Sequence, residues 1–195
     1  NLVLMYLEYI KSVPLNLYIL KLANSRPSSK YNSIYCFRQV INSYSHILSA
    51  LKLLYEKEIV HFDLHNNNII YDLKLNIPLI IDFGISMKKS NIYKEFMKNA
   101  LLFSAKMSQY AIEVHLIEPI VNRTLTPEII KHKCTQYINN IQNISIIDEY
   151  FTNFKNDYIE SCVEYYSEFL TLTKEEAIAK IVKYWHTWDN YAVGL

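Results

Sequence analysis

The densest group of side chains able to do chemistry lies in the run His61-Phe62-Asp63-Leu64-His65-Asn66-Asn67-Asn68. Asp63 could orient a hydroxyl and accept its proton, and Asn68 could offer an amide oxygen. Fourteen residues after Asn68, the tripeptide Asp82-Phe83-Gly84 adds a second carboxylate. Carboxylate and amide oxygens are ligands that Mg²⁺ prefers. These residue types are therefore suited to holding a metal ion beside a hydroxyl that is to react.

Simpler interpretations of the same residues, each taken alone, remain open at this point. His61-x-Asp63-x-His65 places three metal-ligand types on alternate positions, which share a face on an extended segment, as in the metal cluster of a hydrolase. His61 alone could be a hydrogen-bonded core histidine, and Asp82-Phe83-Gly84 alone could arise by chance. The two motifs together, in this order and with a hairpin between them, form a much rarer pattern.

The elements that must position these residues can be predicted from apolar spacing. A helix is expected from Ile34 to about Glu58, because apolar residues recur there at intervals of three and four. Its expected apolar face consists of Phe37, Ile41, Tyr44, Leu48, Leu51 and Leu54. A hairpin is expected after the polar loop, with strands at 69–71 and 78–81. The loop would thus enter from a helix and leave into a strand.

The flanking regions carry further local signals. Residues 2–7 predict a short buried strand. Thr126-Pro127-Glu128 predicts a helix start, with Pro in the first turn. Thr173-Lys174-Glu175-Glu176 matches a capping box at the start of another helix. The rest of the chain after Gly84 is expected to be mostly helical.

Taken together, the two motifs resemble the catalytic loop and the metal-binding Asp-Phe-Gly of the protein kinase superfamily. The resemblance implies that Asp63 orients and deprotonates the hydroxyl that receives a phosphoryl group. Asn68 and Asp82 would hold Mg²⁺ against the phosphates of ATP, and His65 would lie near the γ-phosphate. His61, Phe83 and Gly84 complete the two motifs.

More of the chain fits the same resemblance. Ala111-Ile112-Glu113 is similar to the Ala-Pro-Glu that closes kinase activation segments, where the Glu pairs with a buried Arg that cannot be assigned here. Asp189-Asn190-Tyr191-Ala192-Val193-Gly194 resembles the motif that opens the central helix of the large lobe, whose Asp accepts backbone hydrogen bonds from the catalytic loop. Met5 and Leu7 would contact the adenine from the hinge, and Ile70 would lie under its ring.

The implied fold class is α+β: a kinase-like large lobe, mainly α-helical, with a small catalytic-loop β-hairpin. The small lobe is expected to be absent from this chain, because the sequence has no Gly-rich loop and no matching Lys and Glu. The expected division is a hinge at 1–10, a catalytic core with activation segment at 11–120, a helical insert at 121–185 and the start of the central helix at 186–195. Such a fragment alone is expected to be inactive.

Two departures from the family pattern bear on mechanism. Phe62 replaces the Arg that usually receives an activation-loop phosphate, so such regulation would lose its main partner. His65 replaces a Lys, and His is found at that position in small-molecule phosphotransferases such as those acting on aminoglycosides or choline. The loop, the Ile-Asp-Phe-Gly-Ile run and an Asn-, Ile-, Lys- and Tyr-rich composition look like those of divergent giant-virus Ser/Thr protein kinases.

Composition and charge narrow the partners and the cellular compartment that are expected for this chain. The 195 residues are 51% hydrophobic and carry a net charge of +1, which gives no electrostatic case for binding nucleic acid or an anionic membrane. No apolar run is long enough to span a bilayer. The cysteines are Cys36, Cys134 and Cys162; without a close pair in the sequence, they favour a reducing compartment. A cytoplasmic location is expected, in the host cell if the protein is viral.

The two glycines, Gly84 and Gly194, are expected where the backbone requires glycine.

The predicted function is an ATP- and Mg²⁺-dependent Ser/Thr-type protein kinase whose partner is a protein substrate with a hydroxyl group. The alternatives are a small-molecule phosphotransferase on the same fold and a pseudokinase that serves as an interaction module. Oligomeric state and phosphoacceptor do not follow from the sequence.

Overall fold

The structure is a computed structural model that describes residues 9–24, 30–100, 110–141, 147 and 149–194, with the backbone alone at 30–32. The strand expected at residues 2–7 lies outside these residues. The described elements are mostly helical: β1 Ser12–Pro14, α1 Leu15–Asn24, α2 Lys30–Glu56, β2 Ile59–Val60, β3 Ile69–Asp72, β4 Ile77–Ile80, β5 Met87–Lys88, α3 Lys89–Lys98, α4 Ile117–Val121, α5 Pro127–Asn140, α6 Phe154–Tyr166, α7 Lys174–Val182 and α8 Trp185–Gly194. Short 3₁₀ turns cover Asn66–Asn68, Ile112–Leu116 and Ser167–Thr171.

Two small antiparallel sheets determine where the polar loop lies. In the first, β3 pairs with both β1 and β4, and Ile69 faces Ile80. In the second, β2 pairs with β5, and Val60 faces Met87. The loop at 61–68 therefore connects β2 to β3, and the segment at 81–86 connects β4 to β5. Because β2 pairs with β5 and β3 pairs with β4, the connections at 61–68 and 81–86 lie side by side.

The hairpin of β3 and β4 is confirmed, and local chemistry explains its turn. The Asp72 side-chain Oδ1 accepts the backbone N–H groups of Lys74 at 2.7 Å and Leu75 at 3.0 Å. Asn76 then takes a left-handed backbone conformation with a φ of 57°, which Asn tolerates better than most residues. The turn thus closes without glycine.

Both predicted helix starts are also confirmed. The Thr126 hydroxyl accepts the N–H of Ile129 at the first turn of α5, with Pro127 as the first helical residue. At α7, Thr173 and Glu176 form a reciprocal capping box. Each side chain satisfies a backbone donor that the helix itself leaves unpaired.

The predicted apolar face of α2 is wrong for most of its residues. Phe37, Ile41, Tyr44 and Leu48 are exposed, whereas Leu51 is buried. The packed face instead carries Ser43 and Ile47 together with Leu51, and α2 packs against β4, β2 and α1. The spacing indicated a helix, but α2 has apolar residues on more than one side, so the sequence pattern alone selected the wrong side.

The expectation for the glycines is also corrected. Among the described residues the left-handed backbone positions are held by non-glycine residues, including Phe62 and Asp82, and neither glycine has a positive φ. A Cβ at Gly84 would lie 3.1 Å from the Asp82 Oδ1, whereas a Cβ at Gly194 would meet nothing within 4 Å. Close approach to a side chain accounts for Gly84, and no backbone requirement is found at Gly194.

The apolar core consists of two clusters. The larger gathers side chains from α3 through α8, including Phe96, Ile130, Ile178 and Trp188. The smaller combines Ile47 and Leu51 of α2 with Leu64 and Ile69, and Ala192 and Val193 of α8 pack against it. None of the described helices is both long and apolar enough to cross a membrane.

Candidate active site

The loop at 61–68 is anchored in both apolar clusters by alternate residues. Phe62 is buried in the larger cluster and Leu64 in the smaller one. Asp63, between them, is only half-buried. Because the side chains on both sides of Asp63 are buried, the backbone at Asp63 is held in position. The left-handed backbone at Phe62, with a φ of 67°, belongs to this tightly held geometry.

His61 holds the loop against the neighbouring segment. Its Nε2 donates to the carbonyl of Ile81 at 2.9 Å, and its Nδ1 accepts the backbone N–H of Asp63 at 3.3 Å. The side chain is fully buried, and its ring packs edge-on against Phe83. Both ring nitrogens are occupied, so His61 cannot ligate a metal. The hydrolase-type cluster built on His61, Asp63 and His65 is therefore excluded.

Asp189 fixes the start of the loop from the far end of the chain. Its Oδ2 accepts the backbone N–H of His61 at 2.7 Å, and its Oδ1 accepts that of Phe62 at 3.0 Å. Burial raises the pKa of the Asp189 carboxyl, and the two backbone donors act in the opposite direction. The carboxylate thus supplies two acceptors to a stretch of backbone that belongs to no helix or long strand.

Asp63, Asn68 and His65 form one contact group on the open side of the loop. The Asn68 Nδ2 donates to the Asp63 carbonyl at 2.8 Å and to its Oδ2 at 3.2 Å. His65 Nε2 lies 3.7 Å from the Asp63 Oδ1, and its Nδ1 accepts the N–H of Asn67. Because the Asn68 nitrogen is committed to Asp63, its amide oxygen points the other way.

Asp82 comes from the strand next to this group. The N–H of Ile81 donates to the Asn68 carbonyl at 3.0 Å, which continues the pairing of β3 and β4 up to the residue before Asp82. Asp82 is exposed, has a φ of 63°, and accepts the N–H of Gly84 at 3.2 Å through Oδ1. The antiparallel register therefore brings Asn68, at the start of β3, and Asp82, after the end of β4, to the same end of the hairpin.

The donor set fits Mg²⁺. The amide oxygen of Asn68, which is buried, and the exposed carboxylate of Asp82 are hard oxygen ligands, and Mg²⁺ needs few of them because it retains several waters. The described residues contain no cluster of three or more His, Cys, Asp or Glu side chains placed to hold a metal. A transition-metal site of that type is thus not found in the described part of the chain.

Two expected adenine contacts, Met5 and Leu7, lie outside the described residues. Ile70 is in β3, opposite Leu79 on one side and Pro14 on the other. Its neighbours Ile69 and Tyr71 are buried, whereas Ile70 is partly exposed. Ile70 therefore lies on the sheet face opposite to that of Ile69 and Tyr71.

Phe62 packs within an aromatic group instead of facing solvent. Its ring lies 4.8 Å from that of Tyr110, 5.5 Å from Trp188 and 5.9 Å from Phe96. Burial, followed by the charge of Asp63, raises the pKa of Tyr110 to about 12, so this phenol stays neutral beside the loop. The aromatic group joins the loop at 61–68 to α3, to α8 and to the segment that leads into Glu113.

Glu113 has partners that the sequence did not reveal. Its Oε1 accepts the Trp188 indole N–H at 2.9 Å, and its Oε2 accepts the Tyr166 hydroxyl at 3.4 Å. Two neutral donors therefore hold this carboxylate, in place of the Arg that the resemblance implied. Trp188 directly precedes Asp189, so adjacent residues of α8 anchor Glu113 and the loop. No local signal in the sequence links residues so far apart.

An Asp and an Asn on one loop and a second Asp from the neighbouring strand end are the side-chain types that phosphoryl transfer uses. A family model described as protein kinase domain matches residues 1–105, more than half of the chain, and the chain belongs to that family. The match includes the loop and Asp82, whereas Glu113 and Asp189 lie beyond it. No curated protein and no solved structure matches the chain. Kinase-type phosphoryl transfer is the general chemistry of the family.

Proposed function

We propose that this chain is the catalytic large lobe of an ATP- and Mg²⁺-dependent protein kinase that phosphorylates Ser or Thr hydroxyl groups. The observation that carries the proposal is the double hydrogen bond from Asn68 to Asp63, on a loop held against the Asp82 segment. It connects the residue assigned to the hydroxyl with a residue assigned to the metal. A movement of the Asp63 or the Asn68 side chain would therefore displace the other.

Asp63 is proposed to orient the hydroxyl and accept its proton. Its Oδ2 is engaged by Asn68, and its Oδ1 faces His65, so the carboxylate is held in one orientation. Such positioning supplies much of the rate in phosphoryl transfer, because the protein contributes little covalent chemistry.

Asn68 and Asp82 are proposed to hold Mg²⁺ through the amide oxygen and the exposed carboxylate. When bound, the metal neutralises phosphate charge and helps align the transferred group. His61 and Asp189 are proposed as positioning residues, because they bind backbone groups of the loop and lie below its surface. Ile70, Met5 and Leu7 are proposed to contact the adenine ring.

A small-molecule phosphotransferase is the second candidate, and the position of His65 favours it. Its Nδ1 accepts the Asn67 N–H, so the ring proton is on Nε2, which lies 3.7 Å from Asp63 and can donate to a phosphate oxygen there. His at this position resembles the small-molecule enzymes. The hydrogen bonds from Trp188 and Tyr166 to Glu113 favour the protein kinase, because they hold in place the residues that resemble the end of a kinase activation segment.

The deciding experiment is a phosphotransfer assay on the protein expressed from its complete reading frame. ATP labelled at the γ-phosphate would be offered with generic Ser/Thr protein substrates in one arm and with aminoglycosides and choline in another. We expect Mg²⁺-dependent label on Ser or Thr of the proteins, lost in Asp63→Ala. Label on the small alcohols alone would establish the second candidate.

The matched control for Asp63→Ala is Asp157→Ala, because Asp157 is exposed on α6 and belongs to neither loop. Circular dichroism of both variants checks that they remain folded. If the two variants transfer phosphate equally well, Asp63 is not the catalytic aspartate and the proposal is wrong.

A further inference from the structure

A cavity of about 310 Å³ opens between the segment that follows α4 and the start of α7. Its walls come from two separate stretches of the chain, 120–125 and 169–175. Both stretches lie beyond residue 105, where the match to the protein kinase family ends. The cavity therefore belongs to a part of the chain that this match does not describe, and it shares no residue with the loop at 61–68.

The floor of the cavity is apolar and is supported by the core. Ile120 and Phe169 belong to the larger apolar cluster and are each 5% exposed, and Leu125 and Leu172 pack against that cluster. Leu170 also lines the cavity and is 38% exposed. Because packed side chains hold this floor in place, an apolar group can leave water and enter the cavity without first ordering the protein.

The rim of the cavity is charged and faces solvent. Arg123 and Glu175 are exposed, and Lys174 is partly exposed. The Lys174 Nζ lies 3.8 Å from the Glu175 Oε1, so these two charges offset each other. Glu118, on α4, has Lys133 as its partner at 3.7 Å. Arg123 makes no ion pair within the described part of the chain, so the rim carries a positive charge that is not compensated there.

The backbone fixes the point from which the Arg123 side chain extends. The N–H of Arg123 donates to the Ile120 carbonyl at 3.1 Å, and that of Thr124 donates to the Pro119 carbonyl at 2.9 Å. Arg123 itself has a φ of 55°, in the left-handed region where a helix end favours glycine or asparagine. The turn that ends α4 therefore places a long cationic side chain at the cavity, at a position that favours short residues.

The size of the cavity fits one large apolar side chain better than a whole enclosed ligand. A volume of about 310 Å³ is at the lower end of the range for pockets that enclose small molecules, and the rim is open to solvent. Most of a bound molecule would thus lie outside the cavity. An apolar anchor in a preformed pocket, with charged residues around it, is the usual arrangement where one protein binds another.

We propose that this cavity is a docking site for a peptide segment of a partner protein, in which a large apolar residue is flanked by acidic residues. The apolar side chain would pack against Ile120 and Phe169, and a flanking carboxylate would pair with Arg123. The charge of the rim determines the acidic character of the segment. The inference goes beyond the proposed function and does not depend on it, because docking at this cavity requires no phosphoryl transfer.

The test measures binding of a fluorescein-labelled peptide, Gly-Ser-Glu-Glu-Phe-Glu-Glu-Ser-Gly, to the protein expressed from its complete reading frame. Fluorescence anisotropy should show saturable binding. A peptide with Ala in place of Phe should bind about 10-fold more weakly or worse, because the buried ring is lost. A peptide with Lys in place of each Glu should also bind several-fold more weakly, and salt should reduce this difference because the rim charges are screened.

Two variants of the protein assign the binding to this cavity. Arg123→Asn removes the charge but keeps a residue that tolerates the left-handed backbone, so affinity should fall several-fold without loss of stability. Leu170→Glu places a carboxylate on the apolar wall and should abolish binding, with circular dichroism as the check on folding. The matched control is Lys131→Asn, an exposed change on α5 outside the cavity, which should bind like the wild type.

Three outcomes would overturn the proposal. The first is the absence of saturable binding, or equal binding of the peptides with Phe and with Ala. The second is an equal loss of affinity in Arg123→Asn and in Lys131→Asn, which would mean that net charge and not the cavity attracts the peptide. The third is displacement of the labelled peptide by hydrocinnamate at the same concentration as by unlabelled peptide, which would identify the ligand as a small apolar acid.

Discussion

The carboxylate of Asp189 accepts the backbone N–H of His61 at 2.7 Å, and this contact joins the last described helix to the first residue of the loop at 61–68. The second carboxylate oxygen accepts the next N–H, that of Phe62. Two adjacent donors in an irregular segment thus meet a side chain with two acceptors. Since unpaired buried backbone groups are costly, the loop conformation depends on this aspartate.

Replacement of Asp189 by Asn should destabilise the protein by about 1–3 kcal/mol. The amide has one oxygen, and its NH₂ group would face a backbone N–H of His61 or Phe62. The free energy of unfolding from urea titrations measures the effect. The matched control is Asp157→Asn, at an exposed position on α6, for which we expect a change below about 0.5 kcal/mol. Equal stability of the two variants would contradict the anchoring role.

Local signals in the sequence predicted the features that depend on neighbouring residues. The starts of α5 and α7 follow from Thr126 and Thr173, because a cap and its helix are adjacent in the chain. The hairpin follows in the same way from two short apolar runs and a polar turn. The loop and Asp82 could be recognised because their spacing is set by that hairpin.

Features that depend on contacts between distant residues were not predictable. Packing against β4 and β2 determines which side of α2 is buried, so the sequence of the helix alone could not show that Phe37 is exposed. The partners of Glu113, Tyr166 and Trp188, come from α6 and α8. In each case the deciding contact crosses many residues of sequence.

Asp82→Asn should reduce Mg²⁺-dependent phosphotransfer by roughly 100-fold or more while leaving stability almost unchanged. The charge that would hold the metal is lost, but the Asn oxygen can still accept the N–H of Gly84 and keep the turn. Asp82 is exposed, so little packing changes. Initial rates and urea unfolding are measured on the same preparations, with Asp157→Asn as the control. Full activity in the Asp82 variant would refute the metal assignment.

Glu113→Gln should cost about 1–2 kcal/mol of stability, because one amide oxygen cannot accept both the Trp188 indole N–H and the Tyr166 hydroxyl in their present positions. Thermal unfolding followed by tryptophan fluorescence measures the loss. Glu164→Gln, an exposed change on α6, is the matched control and should behave like the wild type. A Glu113 variant as stable as this control would mean that the two donors do not depend on the carboxylate.

Phosphotransfer should not require a phosphate between Gly84 and Glu113. An Arg before the catalytic Asp is the usual partner of such a phosphate, but Phe62 lies there and packs against Tyr110 and Trp188. Contacts between uncharged aromatic rings would thus stabilise the loop in place of the pair of Arg and phosphate. Phosphatase treatment, with phosphate removal verified by mass spectrometry, should leave the initial rate unchanged. If treatment silences the enzyme and rephosphorylation in this segment restores it, the expectation is wrong.

Stability should fall at alkaline pH through the buried tyrosines. Burial is the main cause that raises the pKa of Tyr110 to about 12, and it also raises the pKa values of Tyr137, Tyr158 and Tyr166. In the unfolded chain a tyrosine ionises near its ordinary pKa of about 10. Above that pH the folded state retains protons that the unfolded state has lost, so the free energy of unfolding decreases as the pH rises.

The size and the assignment of this effect can both be measured. Each such tyrosine contributes a loss approaching about 1.4 kcal/mol per pH unit between the two pKa values, and nothing well below about pH 9. Urea unfolding at several pH values gives the slope, and a second rise in phenolate absorbance, after that of the exposed tyrosines, should accompany the loss of helical circular dichroism. Tyr110→Phe should make the slope shallower, whereas Tyr150→Phe, at a position that is 78% exposed, should leave it unchanged. A slope unaffected by Tyr110→Phe would mean that Tyr110 ionises alike in the folded and unfolded states.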